Sequence, residues 1–127
     1  MSRLISSLMQ PRVWSVDMDD TISEVERQFV EQGLTWAPVL ESKRMIVGVI
    51  SAGDLLQFHA QERDPMRVAA WQLCSYKPIS VDENTPLSEV ARQMTTQGIH
   101  HVVVTRGEKI AGVVSSMDFV RTFVEAG

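Results

Sequence analysis

The sequence predicts an α/β (α+β) fold made of two repeated strand-helix-strand-strand-helix units packed around a pseudo-twofold axis. Three observations predict it. The stretch Ile46 to Leu55, IVGVISAGDL, returns near the C-terminus as Ile110 to Phe119, IAGVVSSMDF. Ser15-Val16-Asp17 returns as Ser80-Val81-Asp82, an offset of 65 residues. Between these landmarks an apolar stripe, Ile22, Val25 and Phe29, returns as Leu87, Val90 and Met94, spaced three and four apart as a buried helix face requires. Repetition at a fixed offset organises everything else in the chain.

In order, Leu4, Ile5, Leu8 and Met9 suggest a short helix over residues 1–12 that Pro11 ends. A similar stretch precedes the second unit, where Asp64 reads as an N-cap and Pro65 as the first helical residue, with Val68, Trp71 and Leu73 as apolar surface before Pro78. Asp20 and Thr85 align as N-caps of the two striped helices, with Pro86 opening the second. Gly33 and Gly98 follow matching glutamines and are placed to close those helices in a left-handed conformation. Strands are expected at Ala37 to Leu40 and His101 to Thr105, then turns at Glu41 to Met45 and Arg106 to Lys109. The first turn is one residue longer, so the offset becomes 64 and Gly48 meets Gly112, Ser51 meets Ser115, and Asp54 meets Asp118. The last helices are expected from Ala52 toward Arg63 and from Ser116 to the C-terminus. This divides the chain into a first repeat with its N-terminal helix, residues 1-63, and a second with its linker helix, residues 64-127, the two covering each other's apolar surface as one folding unit.

Composition narrows the function. With 127 residues, 44% hydrophobic and 22% charged, the chain is an ordinary globular protein of one domain's size. No apolar run approaches the roughly 20 residues of a membrane helix, and the N-terminus does not read as a secretory signal. One cysteine, Cys74, excludes an internal disulfide, fits a small buried hydrophobe and suggests a cytoplasmic protein. A net charge of -4 argues against nucleic acid as a partner. There is no nucleophile elbow and no phosphate loop, so an enzyme is not expected. His59, Cys74, His100 and His101 lack metal-ligand spacing. Trp14 and Trp71 read as core or interface residues rather than stacking platforms, and Trp36 is the exception to watch.

The six segments Ser-Val-Asp (twice), Gly-Leu-Thr-Trp-Ala-Pro-Val, Gly-Ile-His-His-Val-Val-Val, Gly-Val-Ile-Ser-Ala-Gly-Asp and Gly-Val-Val-Ser-Ser-Met-Asp, in matching order, resemble the cystathionine beta-synthase (CBS) domain family and its tandem regulatory pairs, the Bateman modules. The resemblance spans nearly the whole chain. It implies a sensor of an adenosine ligand such as AMP, ADP, ATP or S-adenosylmethionine, held in clefts between the repeats. Carried over, the first cleft uses Ser51 and Asp54 for the ribose, with Ser80, Ile99, His100 and His101 from the second repeat. The second uses Ser115 and Asp118, with Ser15, Leu34, Thr35 and Trp36. The histidines stand where basic phosphate contacts are common in the family, so the first cleft is expected to bind phosphates, more weakly as pH rises through histidine titration. Adjacent strand residues face opposite ways, so one histidine at most shares a pocket without a kink. Arg12 and Lys77 align ahead of each first strand and are further candidates for a phosphate tail.

The chemistry fits the residues: a carboxylate at a helix N-terminus stays ionised and offers two acceptor oxygens to a vicinal diol. An aspartate in that place also serves as an ordinary helix N-terminal residue. The resemblance further implies a homodimer through helices near Leu55, Phe58, Phe119 and Phe123, and an effector protein in trans. The other reading is a structural dimerisation module with vestigial clefts.

Overall fold

The computed structural model describes residues 3–76 and 80–126. The first repeat runs β1 (Val16–Asp17), α1 (Ile22–Gln32), β2 (Trp36–Glu41), β3 (Met45–Ser51) and α2 (Ala52–Ala60). The second runs β4 (Ser80–Asp82), α4 (Leu87–Gln97), β5 (His101–Arg106), β6 (Lys109–Ser115) and α5 (Ser116–Ala126). A four-residue helix, α3 (Ala70–Leu73), lies in the linker, and a 3-10 turn at Ile5–Ser7 stands where a short helix was expected.

Each repeat builds the same three-stranded sheet. β1 pairs parallel to β2 with Val16 opposite Val39, and β2 pairs antiparallel to β3 with Trp36 opposite Ser51. In the second repeat Val81 lies opposite Val104 and His101 opposite Ser115. Both hairpins carry an irregularity at equivalent places, between Val39 and Leu40 and between Val104 and Thr105. The hairpin turns differ as their lengths require: Ser42 and Lys43 take φ of 50° and 60°, whereas Gly107 takes 64° in the shorter one.

Gly33 and Gly98 close α1 and α4 at φ of 65°. That region is strained for any residue with a Cβ, so Gly33→Ala is expected to lower the unfolding free energy by about 1 kcal/mol and Gly33→Asn by less, measured by chemical denaturation. The start of each helix sits one residue later than expected. Thr21 caps α1, its hydroxyl accepting the Glu24 N–H at 3.1 Å, while the Asp20 carboxylate accepts the Asp17 N–H at 3.1 Å and the Gln28 amide at 3.2 Å. Pro86 takes the N-cap of α4, where no side chain caps.

The chain packs as two compact units whose limits differ from the expected 1-63 and 64-127. One unit runs from Trp14 to Tyr76; the other joins Arg3–Val13 to Ser80–Ala126. The reason is the leading segment of each repeat. Ala70 and Cys74 are buried with Val16, Val25, Phe29 and Ile50, so the linker completes the first repeat's core. Ile5 is buried with Val81, Val90, Met94 and Val114, so the N-terminal segment completes the second's. Asp64 does not start a helix; its side chain accepts the Met66 N–H at 2.9 Å in a turn.

The same exchange explains the strand glycines. Ser75 bridges Val49 of β3, with N–H to carbonyl distances of 3.0 and 2.9 Å, and Gln10 bridges Val113 of β6 at 2.8 and 3.1 Å. The bridging segments at Ser75 and Gln10 run directly against Gly48 and Gly112. A Cβ on Gly48 would collide with the Ser75 carbonyl and lie 2.8 Å from Cys74 Sγ. One on Gly112 would lie 2.7 Å from the Gln10 carbonyl oxygen.

Leu55, Phe58 and Phe119, expected to form an exposed dimerisation surface, are buried in the cores of their own units. α2 and α5 turn these residues toward their own sheets. Exposed apolar surface on α5 comes instead from Met117, Val120, Phe123 and Val124, with Phe123 64% exposed. Trp14 and Trp71, expected in core or interface, are 45% and 42% exposed. No helix among the described residues is long and apolar enough to cross a membrane.

Candidate functional site

Ser51 ends β3 and caps α2, which places Asp54 in the helix's first turn. The two residues hold each other. The Ser51 hydroxyl accepts the Asp54 N–H at 3.2 Å, and Asp54 Oδ2 accepts the Ser51 N–H at 2.8 Å and the Ser51 hydroxyl at 2.9 Å. This capping box fixes the carboxylate's rotamer at the N-terminal end of α2. Asp54 is half-buried, and no donor among the described residues reaches its Oδ1.

Around this Ser-Asp clamp the segment after Gly33 is drawn in. The Thr35 carbonyl accepts the Ala52 N–H at 2.9 Å, and Trp36 lies opposite Ser51 in the sheet. Leu34 packs on the core. Ser15, just before β1, is separated from the clamp by the intervening β2. Cys74 is close enough for the Asp54 charge to act on it: burial first, and then that charge, push its thiol up, while its backbone hydrogen bond and Tyr76 oppose them. The thiol is therefore a protonated core group, as expected.

The second repeat has the same clamp with different neighbours. Asp118 Oδ2 accepts the Ser115 N–H at 2.8 Å and its hydroxyl at 3.1 Å, and the Ser115 hydroxyl accepts the Asp118 N–H at 3.3 Å. Asp118 is only 6% exposed. Its Oδ1 is also engaged, accepting from Gln10 Nε2 at 3.3 Å and Arg121 Nη1 at 3.2 Å. The His100 carbonyl accepts the Ser116 N–H at 3.0 Å, and His101 lies opposite Ser115. Ile99 packs on this unit's core, and Ser80 opens β4 across β5 from the clamp. Within each unit, then, Thr35 and Trp36 stand beside Asp54, and His100 and His101 stand beside Asp118.

His100 is exposed and His101 half-buried. Burial, chiefly, and the neighbouring His100 lower the His101 pKa from the ordinary value of 6.5, while the Asp118 charge pulls it up. His101 is thus neutral near neutral pH. A lowered pKa means the unfolded chain binds the extra proton first, so stability is full above about pH 6.5 and falls as pH drops below it. Urea denaturation between about pH 7 and pH 5 should show this fall, and His101→Gln should make it shallower.

Of the two basic residues expected to align near a phosphate, Arg12 is exposed, and Lys77 lies outside the described residues. Gln10 and Arg121 were not expected at the site. Their signal is a departure from the repeat: Gln10 aligns with Ser75, and Arg121 with Gln57. Among the described residues no three His, Cys, Asp or Glu side chains are grouped to hold a metal ion.

Comparison with known proteins agrees with this architecture. The model of the CBS domain matches residues 5–60 and 70–125. The CBS domain pair of protein MJ0100, solved in complex with 5′-methylthioadenosine and S-adenosyl-L-methionine, superposes with a TM-score of 0.88 at 20% identity, covering 100% of both chains. CBSX2, solved in complex with AMP, superposes with a TM-score of 0.85 at 22% identity, covering 97% of both. UPF0053 protein MG146 of Mycoplasma genitalium is 31% identical over 109 residues, which is 84% of this chain and 25% of MG146. The chain therefore spans a quarter of that relative's length.

Proposed function

Because the chain belongs to the CBS domain family, we propose that it is a regulatory module that binds an adenine nucleotide or another adenosine ligand and passes the signal in trans to a partner protein in the cytoplasm. One observation carries the reading: the Asp54 carboxylate is fixed by Ser51 through one oxygen, and its other oxygen meets no donor among the described residues. A ribose diol supplies two hydroxyl donors to such a carboxylate, and charge-assisted bonds of this kind contribute roughly 1.5–3 kcal/mol each. We assign the ribose to Ser51 and Asp54 and to Ser115 and Asp118. We assign the adenine and phosphate to the segments after the helix-closing glycines, Leu34-Thr35-Trp36 and Ile99-His100-His101, with Ser15 and Ser80. The adenosine ligands in the MJ0100 and CBSX2 structures support the ligand class. We assign no catalytic role.

Calorimetric titration of the chain with AMP, ADP, ATP and S-adenosylmethionine tests this. Saturable binding by at least one of them near micromolar strength, about -8 kcal/mol, is the expected result. No binding at millimolar ligand by a folded chain would contradict it.

The exposed face of α5 favours a second reading, in which the module also pairs with itself. Phe123→Asp is then expected to convert a dimer into a monomer in light scattering, with little effect on stability, because Phe123 is exposed.

A further inference from the structure

The two clamps share a backbone and differ in what meets the second carboxylate oxygen. We propose that Gln10 and Arg121 form a latch on Asp118 that holds the second clamp shut against a ribose, so that the Asp54 clamp fills first. The proposal rests on reading the clamps as ribose sites.

A carboxylate offers about four acceptor positions. In both clamps the serine N–H and hydroxyl take Oδ2, which leaves Oδ1 for the ribose. At Asp118 that oxygen already accepts from Gln10 and Arg121, and its residue is buried beneath them. A diol must displace both donors. At Asp54 no donor among the described residues occupies Oδ1, so a diol has none of them to displace.

The cause can be read from the repeat. Gln10 and Ser75 occupy equivalent places, each bridging the outer strand of its sheet, at Val113 and Val49. From that shared backbone position the glutamine amide reaches the carboxylate, and the serine side chain is too short to do so. Arg121 and Gln57 both stand three residues after their aspartate, and the arginine adds a charge where the glutamine adds none. The latch is releasable rather than permanent. Its bonds are long, and the Arg121 side chain is 61% exposed, so solvent screens the ion pair.

The test is calorimetry on the whole chain with adenosine, which has no phosphate for Arg121 to contact. Three proteins are compared: the unaltered chain, Gln10→Ser/Arg121→Gln, and Ser75→Gln/Gln57→Arg. The unaltered chain should bind one adenosine well and a second more weakly. Gln10→Ser/Arg121→Gln should tighten the second event by roughly tenfold. Adding Asp118→Asn should abolish that gain, which assigns it to this carboxylate. Ser75→Gln/Gln57→Arg should weaken the first event by a similar factor; should that pair disturb the edge strand, Gln57→Arg alone should weaken it by a smaller factor. Two equal sites in the unaltered chain, or a second event unmoved in Gln10→Ser/Arg121→Gln while the first persists, would overturn the latch. Absence of adenosine binding in every folded variant would overturn the ribose reading itself, and the latch with it.

Discussion

Alanine at Gly48 is expected to destabilise the chain by roughly 2–4 kcal/mol, an effect outside the range of surface substitutions. The added methyl collides with the Ser75 carbonyl, a backbone atom that no rotamer change can move, and presses on Cys74 Sγ at 2.8 Å. Relief requires the linker to leave the edge of β3. That breaks the paired Val49 and Ser75 bonds and lifts Ala70 and Cys74 out of the core they complete. Gly112→Ala should act in the same direction against Gln10 and Met9. Gly53 supplies the control, since among the described residues its added methyl would meet only Ser51 Oγ at 3.6 Å, an ordinary contact in the first turn of α2. Gly53→Ala is therefore expected to stabilise, by about 0.5–1 kcal/mol. Equal effects of Gly48→Ala and Gly53→Ala on the urea midpoint would refute this account of the strand glycines.

Asp54→Ala is expected to weaken adenosine-ligand binding by at least about 2 kcal/mol, roughly thirtyfold, through loss of the diol acceptor. It also removes half of the capping box on α2, which costs about 1 kcal/mol of stability. A binding loss could then be mistaken for unfolding. Asp54→Asn separates the two, because the amide oxygen still accepts the Ser51 N–H while the negative charge is gone. A variant that stays folded and binds weakly places the effect on the carboxylate charge. Asp118→Ala should change first-site binding little, since its Oδ1 is already engaged by Gln10 and Arg121.

The internal repeat made most of the fold legible. Offsets of 65 and 64 located both sheets, all four main helices and both Ser-Asp pairs, because strand alternation, helix stripes and closing glycines are local signals that recur in register. What was not legible depends on chain path. The apolar spacing of Ile5, Leu8, Val68 and Trp71 announces segments with apolar surface, and it carries no information about which sheet receives each one. Hence the linker's place in the first core and the N-terminal segment's place in the second appear only in three dimensions. The caps shifted from Asp20 to Thr21 because two adjacent residues could each cap, and Asp20 was drawn off by the Asp17 N–H and Gln28. Leu55, Phe58 and Phe119 looked exposed because a helix stripe gives burial without naming its partner. Gln10 and Arg121 escaped notice because matching residues draw attention to what two repeats share, and the latch lies in what they do not.

The measurement that tests the ribose clamp most directly is a binding cycle with AMP and 2′-deoxy-AMP on the unaltered chain and on Asp54→Ala. If the Asp54 carboxylate reads the diol, removing the 2′-hydroxyl should weaken binding to the unaltered chain by roughly tenfold or more, and should matter little once Asp54 is alanine. An equal deoxy penalty in both proteins, or none in either, would contradict the clamp.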